Sequence, residues 1–157
     1  MVDTIILDTG PLSNCVVTIA RLRQTATPSQ LCRQWLDDCQ AAGCTVLVPA
    51  VAYYEALREL ELRGAMSQIR RLREFCLHPD RFISLTTGHL EAGAKLWAQA
   101  RKTGKPTAGS QSLDADVIIA AQSLSLGLPI SSFIVATTNP AHLSQFVPCD
   151  LWSNISP

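Results

Sequence analysis

The sequence predicts an α/β domain: a central, mostly parallel sheet with helices on both faces, a three-layer α/β/α sandwich. Three observations predict it. Short β-branched apolar runs alternate with longer stretches of helical spacing. The first run, Ile5-Ile6-Leu7, is apolar without interruption, as befits a strand buried on both faces. With 47% apolar and 17% charged residues over 157 positions, the chain can build one real core and is not disordered.

The elements follow in order. Thr4–Leu7 reads as a buried strand that stops at Asp8 and Gly10-Pro11, with function at its carboxyl end. Pro28-Ser29 opens a helix, with Leu31, Trp35, Leu36 and Cys39 at helical spacing, that runs to about Ala42 before Gly43. Thr45–Val48 is a second strand, closed by Pro49. Val51–Arg63 is a helix with Tyr54, Leu57 and Leu60 or Glu61 as successive inward positions, ended by Gly64. Met66–Leu77 is another, with Ile69, Leu72, Phe75 and Cys76 inward. Arg81–Leu85 is a third strand. His89–Arg101 is a helix with Leu90, Ala94, Trp97 and Ala98 on one face, and Thr103–Ser112 is a polar, glycine-containing loop. Asp116–Leu126 is an apolar helix stopped by Gly127, Ser132–Ala136 a fourth strand leading into Thr137-Thr138-Asn139, and Phe146–Ile155 a short edge element. Without repeats or linkers, residues 1–157 read as a single domain.

Composition excludes some partners. A formal net charge of zero gives no support to strong duplex-DNA binding, though RNA can still be met through a local patch. No apolar run approaches the ~20 residues of a membrane span, and the N-terminus lacks a basic segment followed by an apolar one. The expected location is the cytoplasm. Cys15, Cys32, Cys39, Cys44, Cys76 and Cys149 include no C-x-x-C pair and read as reduced thiols, most of them filling the core.

Chemistry is expected from acids set among apolar residues. Asp8 ends the first strand, Glu55 sits in Tyr53-Tyr54-Glu55-Ala56-Leu57, and Asp114 and Asp116 open Asp-Ala-Asp-Val-Ile-Ile-Ala-Ala. Burying carboxylates is costly unless they are paired or bind a cation, so three such placements point to a shared cation. Oxygen-only donors suit Mg²⁺ or Mn²⁺, which keep waters and leave room for a substrate phosphate. Thr9, Thr137 and Asn139 can hold waters or orient the carboxylates. Each residue also has a plainer role: Asp8 in a strand-end turn, Glu55 as a solvated helix residue, Asp114 as an N-cap, Asp116 as a first-turn acid favoured by the helix dipole, and Asn139 in a turn before Pro140. His142 reads as a turn or surface residue, with proton donation the sharper alternative. Arg58, Arg63, Arg70, Arg71 and Arg73 form a solvated face, or else a rim that steers phosphate or meets a protein.

The ordered set Ile-Leu-Asp-Thr-Gly-Pro-Leu, a helical Glu, Asp-Ala-Asp-Val-Ile-Ile-Ala-Ala and Ala-Thr-Thr-Asn resembles the PIN-domain family, and more narrowly the VapC-type toxins of bacterial toxin–antitoxin pairs. The resemblance runs from Ile5 to about Trp152. It implies an α/β/α sandwich and a metal-dependent endoribonuclease: Asp8, Glu55 and Asp116 as the acidic cluster, Asp114 as an extra ligand, and Asp8 and Asp116 on the Mg²⁺ or Mn²⁺ ion. It also implies an RNA substrate, an antitoxin protein as partner and a homodimer. Asn139 departs from the pattern, standing where many members carry a fourth acid, which weakens a second metal site. The alternative is a PIN module that binds RNA or a protein without cutting. Asp8-Thr9-Gly10 is also the tripeptide of aspartic proteases, but those are all-β and this chain is rich in helix.

Overall fold

The computed structural model describes residues 2–16, 26–104 and 113–156, apart from the side chains of 113 and 114. Among these residues, strands β1 (Thr4–Leu7), β2 (Thr45–Pro49), β3 (Phe82–Ile83), β4 (Phe133–Thr137) and β5 (Cys149–Leu151) form one sheet in the order β3-β2-β1-β4-β5. Every pairing is parallel. The helices are α1 (Thr9–Cys15), α2 (Pro28–Ala41), α3 (Ala50–Leu62), α4 (Met66–Cys76), α5 (Thr87–Lys102), α6 (Leu113–Leu124) and α7 (Pro140–Leu143).

From β1 the chain moves outward through β2 to β3, then returns to the other side of β1 for β4 and β5. Right-handed crossovers therefore place α1–α4 on one face and α5–α7 on the other, which makes the expected three layers. The strand order reverses between β1 and β4. In parallel sheets a crevice opens at that point, outside the carboxyl ends of the strands.

β1 is central and all four of its residues are buried, which explains its unbroken apolar run. Fully burying a side chain such as Ile5, Ile6 or Leu7 is worth about 1.5–3 kcal/mol. Trp35 is buried in α2, where its indole N–H donates to the Ile155 carbonyl at 2.8 Å and its ring meets Trp152 at 5.8 Å. These contacts fasten the chain's last turn to the core. Gln122 has no exposed surface. Its amide donates to the Ile83 carbonyl at 2.7 Å and accepts the Val51 N–H at 3.5 Å, tying α6 to the end of β3 and the start of α3. Of the cysteines, Cys15, Cys32, Cys39 and Cys76 are buried, while Cys44 and Cys149 are only half-buried.

Several local expectations are corrected. Asp8 is followed at once by helix α1, where the sequence reads as a strand end and turn. Asp8 caps the helix, and Pro11 falls in its first turn, where no N–H is needed. α3 buries Ala52, Ala56 and Leu60, and Tyr54 is 59% exposed. Leu60 is inward as expected and Leu57 packs half-buried against the core, but two alanines occupy the rest of the buried face. α5 likewise buries Gly93 and Ala100 and leaves Leu90 exposed, because it lies close against α6: a Cβ on Gly93 would stand 3.5 Å from the Val117 carbonyl oxygen. β3 is shorter than expected, at two residues. α6 starts at Leu113, so Asp114 lies within the helix and is not its N-cap, and Asp116 is its fourth residue. α7 has no counterpart in the sequence reading. Most of the expected 103–112 loop lies outside the described residues.

Candidate metal centre

Asp8 and Thr137 end adjacent strands, β1 and β4, at the point where the strand order reverses. Thr137 is fully buried and donates its hydroxyl to Asp8 Oδ2 at 2.6 Å. The other carboxylate oxygen, Oδ1, accepts the Thr9 N–H at 2.6 Å. Thr9 in turn donates its hydroxyl to Glu55 Oε2 at 2.7 Å, bringing α3 to the site. Arg58, one turn further along α3, faces Glu55 Oε1 at 3.4 Å. From the other face of the sheet α6 supplies Asp116, whose Oδ2 lies 3.4 Å from His142 Nδ1 of α7.

The electrostatics show how these acids share one field. Burial holds the Asp8 carboxyl above its ordinary range, against the bonds from Thr137 and Thr9 that lower it, and the Glu55 charge adds to the rise. Asp116 is pushed up to about 6, first by burial and then by the Asp8 charge, with His142 pulling it down and Glu55 adding a further rise. Cys149, at the start of β5, reaches about 11 through burial, with Asp150, Asp8 and Asp116 contributing. Burial first and neighbouring negative charge second hold both acids up, and His142 offsets that excess only in part at Asp116. A divalent cation would relieve that excess, and the donors are the hard oxygens that Mg²⁺ and Mn²⁺ prefer. Among the described residues no three His, Cys, Asp or Glu side chains come together as a ready ligand set.

The expected residues fall as follows. Asp8, Thr9, Glu55 and Thr137 form one hydrogen-bonded chain, and Asp116 joins them through its field. Asn139 is exposed and caps α7, its Oδ1 accepting the Ala141 N–H at 3.4 Å, while its own N–H donates to Thr137 Oγ1 at 3.1 Å. Its backbone supports the site and its side chain supports α7. The Asp114 side chain lies outside the described residues. The Asp116 contact of His142 and the Glu55 contact of Arg58 are new from the structure. The i,i+3 spacing of Glu55 and Arg58 is the sequence signal for the second.

Two outcomes test this geometry. Thr137→Val removes the donor to Asp8 and leaves the Asn139 N–H without its acceptor. Hydrogen bonds to charged groups contribute about 1.5–3 kcal/mol, and a loss of that size is expected by denaturant titration. An unchanged midpoint would show that the hydroxyl contributes nothing to stability. Gly10→Ala should fail to gain the roughly 1 kcal/mol that alanine brings to an open helix position. Its Cβ would stand 2.7 Å from Thr138 Cγ2 and 3.1 Å from Thr138 Cβ, forcing that residue aside. A full gain in melting temperature would show that Thr138 yields freely.

No known family's pattern matches the chain, and no curated protein matches it. In three dimensions it is similar to a chain in a solved structure of VapBC-1 from nontypeable Haemophilus influenzae, with a TM-score of 0.62 and 14% sequence identity over 96% of this chain and 98% of that one. At that identity the likeness is one of fold, an all-parallel α/β sandwich matched along nearly the whole length of both chains.

Proposed function

We propose that the protein is a divalent-metal-dependent endoribonuclease and the toxin of a toxin–antitoxin pair. The observation that carries this reading is the hydrogen-bonded chain Thr137–Asp8–Thr9–Glu55 at the switch point between β1 and β4, with Asp116 close enough to feel the Asp8 charge, a set of partly buried carboxyls whose negative charge suits a cation. The fold likeness to VapBC-1 supports the toxin reading, as does the ordered acidic pattern of the sequence.

When bound, Mg²⁺ or Mn²⁺ supplies charge stabilisation to a phosphodiester and acidifies water. Asp8 and Asp116 would hold the ion. Thr137 and the Thr9 N–H fix both Asp8 oxygens, so that carboxylate is oriented before substrate arrives. Glu55, kept in place by Thr9, stands at the rim and can accept a proton from the attacking water. Asp114 would add a further ligand. An antitoxin protein, a homodimer and a cytoplasmic setting belong to the same proposal. No helix among the described residues is long and apolar enough to cross a membrane.

One observation favours a second reading, a module that binds RNA or protein without cutting: Asn139, at the place of a fourth acid in many proteins of the resembled family, is spent on capping α7. The test is cleavage of labelled RNA by the purified protein with Mg²⁺, Mn²⁺ or EDTA. Cutting that needs the metal supports the nuclease. Binding without cutting in both metals supports the module.

A further inference from the structure

α3 carries a line of contacts that starts at the acidic site and ends in solvent. Glu55 accepts from Thr9 through one oxygen and faces Arg58 through the other. The Arg58 guanidinium carbon lies 5.7 Å from the centre of the Tyr54 ring. That ring is 59% exposed, and Arg58 is exposed beside it. The fold has no need of the ring there, since the buried face of α3 is Ala52, Ala56 and Leu60. Here an aromatic plane with a cation against it stands next in sequence to a site carboxylate.

We propose that Tyr54 is a base-stacking platform for single-stranded RNA and that Arg58 meets the phosphate of the same nucleotide. Every base offers a π-face, so an aromatic ring paired with arginine recognises unpaired nucleotides without regard to their identity. A base inside a duplex is already stacked on both sides and cannot take this place. The substrate is therefore unpaired where it passes α3, and the neighbouring phosphate is delivered toward Asp8 and Asp116. This deepens the nuclease reading and rests on it.

The experiment compares the wild-type protein with Tyr54→Ala and Tyr54→Phe on a labelled single-stranded RNA. Because the ring is largely exposed, both variants are expected to keep the wild-type circular dichroism. Stacking losses of the usual size predict a KM about 5- to 140-fold higher for Tyr54→Ala, with kcat little changed and wild-type behaviour in Tyr54→Phe. An unchanged KM in Tyr54→Ala overturns the platform while leaving the nuclease intact, and so does a Phe variant as weak as the Ala one. If the wild type cuts no RNA, the nuclease reading is the one that falls. Fluorescence anisotropy of the same RNA, with and without Tyr54→Ala, then decides the platform: weaker binding in the variant supports it, and equal or absent binding overturns it.

Discussion

Asp8→Asn is expected to abolish metal-dependent RNA cleavage while leaving the protein folded. The replacement keeps the shape of the side chain. Its carbonyl can still accept the Thr9 N–H, and its amide can donate to Thr137 once that hydroxyl turns to accept. What disappears is the charge, which burial disfavours in the first place. Stability should therefore hold or rise in the metal-free protein, and lost activity reports chemistry alone. Groups that only orient a metal ligand typically cost about 10–100-fold when removed, so the loss here should exceed about 100-fold. The comparison is initial cleavage rate in Mg²⁺ and Mn²⁺ for the two proteins with matched circular dichroism. Wild-type rates in the variant would move the metal elsewhere and end the assignment of Asp8.

Asp116→Asn is expected to stabilise the metal-free protein at neutral pH and to remove most of the stabilisation that added Mg²⁺ provides. The acid's ordinary value of 3.8 rises to about 6 in the fold. Protonated Asp116 is thus the form the fold prefers. Its contribution to stability is fully present below about 4 and is lost as the pH climbs through about 6. The difference corresponds to about 3 kcal/mol, and sharing of the repulsion with Asp8 brings the expected gain to about 1–3 kcal/mol. The amide in the variant carries no charge to repel Asp8. Its melting temperature should therefore exceed that of the wild type at about pH 7.5 and converge with it near pH 4. Mg²⁺ should raise the wild-type value by mass action and the variant's much less. Equal melting curves at neutral pH with EDTA would mean that neither burial nor the Asp8 charge penalises ionised Asp116.

Periodicity shows the alternation of apolar runs and helices because each run is short and chemically uniform. Thr4–Leu7 and Ser132–Ala136 read as strands since β1 and β4, the latter observed at Phe133–Thr137, both lie inside the sheet. The helical phases of α3 and α5 are only partly legible: Leu60 is inward as its spacing predicts, but most of the fully buried positions are small. Ala52, Ala56, Gly93 and Ala100 carry little hydrophobic signal, yet they are what lets one helix lie close to another. Short α1 and α7 are not legible either. Each owes its start to one capping side chain, Asp8 or Asn139, followed closely by proline, a pattern that a turn shares.

The fold class is legible in the alternation of apolar runs and helices, and Asp8, Glu55 and Asp116 stand out because a carboxylate set among apolar residues does so wherever it occurs in the chain. How these acids are held depends on contacts between distant parts of the chain. Thr137 stands 129 residues from the Asp8 it orients, and Glu55 reaches Thr9 across 46. The same holds for the burial and repulsion that raise Asp8 and Asp116, and for the exposure of Tyr54 beside Arg58. The physical reason is that composition and spacing encode local preference, whereas hydrogen bonds and electrostatic fields depend on distance in space. In a parallel sheet, only the order of the strands brings such distant residues together.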